Sequence, residues 1–354
     1  GEAIDFRSKN PNHLSVPFSQ IASEVGKSKI MINAVATGAA IALLDFELQP
    51  VLDGLQEQFQ QKGSETVSNN RKSATAGYDF VRQNLKTKPT FKIPSAEQVR
   101  QKMLLTGSQA MALGAMASGL KFFSGYPMSP ATTIMEFVST QADRYNIVLE
   151  QAEDELAAIN MVIGANFAGA RAMTATSGGG FCLMVEALSL AGMTETPAVI
   201  VVAQRPGPAT GLPTRTEQAD FNFVMHAGHG DFPRAILAPG HPGQALYLMS
   251  KAFNLADKYQ IPVIVLGDQH FNDAYYTVDE LNFRDITIDR GHILTAQELP
   301  LPHEYKRYAH SETGISPRIL LGQTKAVLYA DSDEHTEDGH ITENATVRNQ
   351  MMSK

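Results

Sequence analysis

Four acids, Glu150, Glu153, Asp154 and Glu155, stand where the apolar run Ile147-Val148-Leu149 gives way to a helical pattern. Acids in a first helical turn ordinarily face solvent and complement the macrodipole. Behind them, Ala157, Ala158, Gly164, Ala165, Ala168, Gly169 and Ala170 are small enough to permit very close packing. A carboxylate at the mouth of such a helix would be partly buried, and burial raises its pKa toward general acid–base chemistry. Two rigid loops offer complementary groups. Gly125-Tyr126-Pro127-Met128-Ser129-Pro130-Ala131-Thr132-Thr133 pairs two prolines with hydroxyls, so Ser129 reads as a pre-placed donor to a carboxylate or as part of an ordinary helix start. Arg205-Pro206-Gly207-Pro208-Ala209-Thr210-Gly211-Leu212-Pro213-Thr214-Arg215-Thr216-Glu217 holds two arginines on a proline-rich loop, which suits bidentate binding of a planar carboxylate.

The other reactive groups form weaker patterns. Ser177-Gly178-Gly179-Gly180 reads as a tight strand-to-helix turn or an anion site at a helix N-terminus, and fits neither common nucleotide-loop pattern. His226 and His229 near Asp231, and His335 and His340 among acids, lack a well-spaced third metal ligand. No G-x-S-x-G elbow supports a nucleophilic serine. The single cysteine, Cys182, excludes an internal disulfide, a cysteine zinc site and an iron–sulfur cluster ligated by this chain alone. It also suits a reducing cytoplasm. Lys and Arg total 29 against 37 Asp and Glu, a net charge of −8 that argues against nucleic-acid binding through bulk charge. No apolar run approaches the ~18 residues of a membrane span. The first residues show no signal-peptide pattern. The chain does not begin with Met, and reads as processed or as a piece of something longer.

With 354 residues, 43% apolar and 19% charged, the chain is long enough for about two folded domains of ~150 residues. Apolar spacing from Ile30 to Phe59 is helical. Lys62 to Lys102 turns basic and contains Pro89 and Pro94, the composition of a linker. From Met103 to Asp273 short apolar runs alternate with small-residue helices. Ala198–Ala203 and Pro262–Leu266 read as strands buried on both faces, and Arg171–Ser177 as a third. Phe181–Met193 and Gln244–Tyr259 read as helices, with Met111, Met116, Met161 and Met184 as core filler. This alternation predicts an α/β fold with a doubly wound parallel sheet, whose ligands sit at the carboxyl ends of the strands. Tyr275 to Lys354 is polar and irregular, expected to wrap the surface and to end without a capping element.

Taken together, Tyr126–Thr132, Gln151–Glu155, Gly164–Arg171, Thr174–Ser177 and Gln204–Gln218 resemble the α subunit of the 2-oxoacid:ferredoxin oxidoreductase family, especially the 2-oxoglutarate type. Glu334–Glu343 is also similar, and residues 1–85 look like the C-terminal part of a γ-type α/β domain fused ahead of it. The resemblance implies a linker at 86–102, a pyrimidine-type thiamine diphosphate domain at 103–274, and an extended segment at 275–354 leading to a further domain. An acid matching Glu153 would bond N1′ of the cofactor's aminopyrimidine and favour the imino form that activates C2. Positions matching Ser129, Arg205 and Thr214 would hold the substrate carboxylate. The implied reaction converts a 2-oxoacid, 2-oxoglutarate foremost, and coenzyme A to an acyl-CoA and CO2, with the electrons passing to ferredoxin. Pyruvate and branched-chain members, and a non-catalytic assembly scaffold, are the alternatives.

This chain has no Gly-Asp-Gly with a distant Asn, the pattern that brings magnesium and diphosphate; Gly267-Asp268-Gln269 is not one. Magnesium and the iron–sulfur cluster are therefore expected on a β subunit, in a heterotetramer or larger assembly. The sequence departs from the family pattern at Gly178-Gly179-Gly180, where Gly-Pro-Gly is common, and at Ser129, Cys182, Ser108 and Gln109.

Overall fold

The computed structural model describes residues 14–86, 93 and 102–354, which divide into two compact units at residues 100 and 101. The first unit is helical: α1 (Phe18–Val25), α2 (Ile32–Leu43), α3 (Gln49–Phe59) and α4 (Ser64–Asn84). The helical spacing after Ile30 thus becomes two helices with a break between them. The stretch expected to be linker from Lys62 begins instead with the long helix α4; most of 86–102 lies outside the described residues. Lys72 and Arg82 lie on the exposed face of that helix, whose buried positions Asn70, Ser73, Ala74, Gly77 and Val81 keep a helical period. Helices α2 and α4 pack backbone to backbone. A Cβ at Gly38 would overlap the carbonyl of Ala74, and one at Gly77 that of Val35.

The second unit runs β1 (Met103–Thr106), α5 (Gly107–Ala117), β2 (Phe122–Gly125), α6 (Thr132–Tyr145), β3 (Val148–Gln151), α7 (Glu155–Phe167), β4 (Ala172–Thr176), α8 (Gly178–Met193), β5 (Ala198–Gln204), α9 (Phe221–His226), β6 (Ala235–Leu237), α10 (Pro242–Tyr259), β7 (Pro262–Asp268), α11 (Gln269–Asp273), β8 (Tyr275–Val278) and α12 (Ala345–Met352). Six strands form a parallel sheet in the order β3-β2-β4-β5-β7-β6, and β1 pairs antiparallel with β8. Every residue of β5 and β7 is buried. Val199, Val201, Val263 and Val265 join one core cluster with Met111, Ile134 and Phe253 of α5, α6 and α10. Ile200, Val202, Ile264 and Leu266 join the other, with Ile159, Phe181 and Val224 of α7, α8 and α9. Strand alternation sends successive side chains to opposite faces, so helices must cover both. This is the doubly wound arrangement.

Two expectations about the surface are corrected. Met161 is exposed, and Gly164 of α7 faces open space; the packed stripe of that helix is Ala158, Ile159, Val162 and Ile163. The segment after Tyr275 is irregular but not merely a surface wrap. It buries Tyr308, Ser316, Arg318, Ile319 and His335, and it ends in α12, capped by Asn344. Arg171, at the amino end of β4, explains part of this. Its Nε donates to Asp257 Oδ2 at 2.8 Å, its Nη1 to the Ser118 carbonyl at 2.6 Å and its Nη2 to the Asp289 carbonyl at 2.7 Å. Arg318 and Arg290 share Asp257 at 2.9 and 2.6 Å, so one buried carboxylate ties the late segment to the amino edge of the sheet.

Candidate active site

The strand order reverses direction at β2. The chain goes from β2 to β3 on one side and then crosses to β4 on the other. The loops after β2 and β4 therefore diverge, leaving a crevice at the carboxyl edge of the sheet. The Tyr126-Pro127 loop leaves β2 there, and Ser177 leaves β4. They meet where the Thr176 hydroxyl lies 3.8 Å from Met128 Sδ.

Glu155 lies beside this crevice. It is 3% exposed, and its Oε1 is buried without a hydrogen-bond partner among the described residues. Burial pushes its carboxyl above the usual range, a backbone hydrogen bond works against that, and neighbouring Asp154 adds to the rise. Asp154 is the N-cap of α7 and accepts from the Ala157 N–H at 2.7 Å, which fixes Glu155 at the first helical position. Room for the carboxyl comes from Gly180. A Cβ there would meet Glu155 Oε1 at 2.5 Å and overlap the Thr176 hydroxyl. A second carboxyl stands at the same helix start. A Cβ on Gly178 would meet Asp220 Oδ2 at 2.5 Å, and that oxygen is likewise buried and unpartnered. Burial, followed by the charge of Glu217, raises the Asp220 carboxyl as well.

Glu153 is exposed, because it precedes the N-cap and belongs to no packed face. The buried carboxyl of the acidic cluster thus belongs to Glu155, two residues beyond Glu153. A signal for this is present in the sequence. Glu155 shares a helical stripe with Ala158, Ile159, Val162 and Asn166, all buried, whereas Glu153 does not. Sequence reasoning also passes over Asp220, and meets Asp268 only in Gly267-Asp268-Gln269, which it sets aside.

Ser129 and Arg205 are brought together. Arg205 Nη1 donates to the Ser129 carbonyl at 2.6 Å, and Arg205 Nε is buried without a partner among the described residues. Ser129 itself is exposed and does not cap α6, whose N-cap is Ala131. Thr214 is exposed, and its hydroxyl accepts from its neighbour Arg215 at 3.2 Å. Cys182 is exposed on α8. His226 Nδ1 lies 2.9 Å from the Asn222 carbonyl, and His335 lies between two carbonyls. No group of three or more metal-ligating side chains gathers among the described residues, nor is any described helix long and apolar enough to cross a membrane.

Comparison with known proteins identifies the family of this fold. The family described as pyruvate flavodoxin/ferredoxin oxidoreductase, thiamine diphosphate-binding, matches residues 113–354, and pyruvate ferredoxin/flavodoxin oxidoreductase matches residues 3–80. The α subunit of 2-oxoacid:ferredoxin oxidoreductase 1 from Sulfurisphaera tokodaii is 38% identical over 99% of this chain and 58% of its own length. The 2-oxoglutarate synthase subunit KorA of Methanothermobacter thermautotrophicus is 41% identical over 63% of this chain and 57% of its own. A structure of 2-oxoglutarate:ferredoxin oxidoreductase from Magnetococcus marinus, with 2-oxoglutarate, coenzyme A and succinyl-CoA bound, superposes with a TM-score of 0.84 at 36% identity. It covers 95% of this chain and 58% of the other. The chain thus spans somewhat over half the length of these 2-oxoacid:ferredoxin oxidoreductase relatives. It belongs to the pyruvate flavodoxin/ferredoxin oxidoreductase family, among the 2-oxoacid:ferredoxin oxidoreductase α subunits.

Proposed function

We propose that this chain supplies the pyrimidine half of a thiamine diphosphate site in a coenzyme A-acylating 2-oxoacid:ferredoxin oxidoreductase, with 2-oxoglutarate as substrate. A β subunit completes the site and supplies magnesium and the iron–sulfur cluster. The single observation that carries this reading is the unpartnered, buried Oε1 of Glu155. A buried polar atom without a partner costs ~1–3 kcal/mol, so its retention points to a group that arrives from outside. An aminopyrimidine ring nitrogen fits it. A carboxyl held above its usual range keeps a proton readily and can share it with a base of similar strength.

Thiamine diphosphate, when bound, supplies the carbon nucleophile and electron sink for decarboxylating a 2-oxoacid. This chain's residues do the rest. Glu155 holds a proton or a charge at Oε1, in place of the exposed Glu153. Gly180 leaves that carboxyl its space. Arg205, steadied by the Ser129 carbonyl, presents its buried Nε–H to the substrate carboxylate, with the Thr214 and Ser129 hydroxyls as further donors. The choice of 2-oxoglutarate is supported by the KorA relatives and by the ligands in the Magnetococcus marinus structure.

The test is ferredoxin reduction by the complex of this chain with its β partner, using 2-oxoglutarate, pyruvate and branched-chain 2-oxoacids with and without coenzyme A. The expected result is coenzyme A-dependent turnover that is fastest with 2-oxoglutarate. Preference for pyruvate would overturn the substrate assignment, and no turnover of any 2-oxoacid would leave the assembly-scaffold reading.

A further inference from the structure

The loop that leaves β5 at Gln204 and enters α9 at Phe221 carries both Arg205 and Thr214, yet most of its residues are exposed. Its internal backbone bonds are few: Leu212 N–H to the Pro206 carbonyl and Arg215 N–H to the Leu212 carbonyl, each at 3.0 Å. A long loop without secondary structure needs external ties to hold side chains in one place. Several of those ties converge on one side chain. Asp268, the last residue of β7, is 6% exposed. Its Oδ1 accepts from the Thr216 hydroxyl at 3.0 Å, and its Oδ2 from Gln218 Nε2 at 2.5 Å. Oδ1 also caps α11 by accepting from the Phe271 N–H at 2.9 Å. The neighbouring strand adds a further tie. Gln204, opposite Asp268 in the β5–β7 register, accepts from the Asp220 N–H at 2.9 Å and donates Nε2 to the Gly267 carbonyl at 3.0 Å.

We propose that Asp268 is a positioning residue for the substrate loop: its carboxylate fixes Thr216 and Gln218 to the rigid end of β7 and thereby sets where Arg205 and Thr214 meet the substrate carboxylate. The proposal rests on the reading of Arg205 and Thr214 given above. Burial alone would push the Asp268 carboxyl up. The bonds from Gln218, the Phe271 N–H, Thr216 and the His270 N–H outweigh it and hold the carboxyl below its usual range, so the acceptor stays charged. Charge-assisted bonds from two loop side chains to one strand-end carboxylate make a fixed pivot, which a purely structural helix cap would not require.

The test compares Asp268→Asn with the double variant Thr216→Val/Gln218→Leu, which leaves the α11 cap in place should the Asn variant fold poorly. Hydrogen exchange on the chain reads the loop directly, and steady-state kinetics of the complex with its β partner reads the substrate. Losing charge-assisted bonds of this kind is expected to raise exchange at the hydrogen-bonded loop amides of Leu212 and Arg215 by ~10- to 100-fold. KM for the 2-oxoacid should rise by a similar factor, while kcat and cofactor affinity change little. Unchanged exchange in the double variant, or a freed loop with unchanged KM, would overturn the proposal. Loss of protection throughout the sheet would equally show a merely structural role. Wild-type complex run alongside separates the two claims: its failure to turn over any 2-oxoacid refutes the proposed activity, while the exchange data still decide whether Asp268 anchors the loop.

Discussion

A two-residue difference decides the chemistry at the residue scale. Glu153 and Glu155 are the same amino acid in one acidic cluster, and only helical phase separates them. Asp154 caps α7, so Glu155 begins the stripe that continues through Ala158 and Val162, and it goes inward. A buried carboxyl with one oxygen unpartnered is a liability to the folded chain without ligand. Glu155→Gln should therefore stabilise the unliganded protein at pH 8, by ~1–3 kcal/mol, read from denaturant unfolding. The sign of the pH dependence follows from the raised carboxyl. The folded state binds the proton more tightly than the unfolded one, whose Glu titrates near ~4.3. Stability from this group is thus full below that value and lost as pH rises through the folded pKa. The Gln variant should lose that part of the slope, and a variant less stable than wild type at pH 8 would contradict the burial argument.

Elements were legible where a single period dominated. The all-apolar runs of β5 and β7 could only be strands covered on both faces, and the sheet follows from their alternation with helices. The same rule names the site's location, since a parallel sheet gathers its loops at one edge. Polar elements were less legible. Helix α4 has few apolar residues and was hidden by its charges, because its tight contact is made by Gly77 and Ala74 rather than by large side chains. That contact is testable. Gly77→Ala puts a methyl group into the Val35 carbonyl and should destabilise the α2–α4 pair by ~1–3 kcal/mol, the range for overpacking. Faster hydrogen exchange in α2 and α4 would show it, and unaltered exchange would mean the helices separate at no cost. The late segment was illegible for another reason. Its anchors, such as Arg318 on Asp257, are far apart in sequence and have no period. Asp268 is obscure in the same way, since its partners Thr216 and Gln218 lie some fifty positions earlier.

The chain holds one half of the proposed site at the scale of the whole molecule: the acid end is built, while the sequence lacks the pattern for magnesium and diphosphate. Alone, it should bind thiamine diphosphate no more tightly than ~1 mM by calorimetry, and micromolar binding without a β partner would contradict the half-site account. With the partner present, the acid's identity becomes measurable. The decisive experiment follows C2–H exchange of bound thiamine diphosphate by NMR in the complex, for wild type, Glu155→Gln and Glu153→Gln. Acid–base assistance of this kind is typically worth ~10²–10⁴-fold. The account predicts a fall of that size for Glu155→Gln with cofactor still bound, and a near wild-type rate for Glu153→Gln; exchange undiminished in Glu155→Gln, or lost in Glu153→Gln, would contradict it.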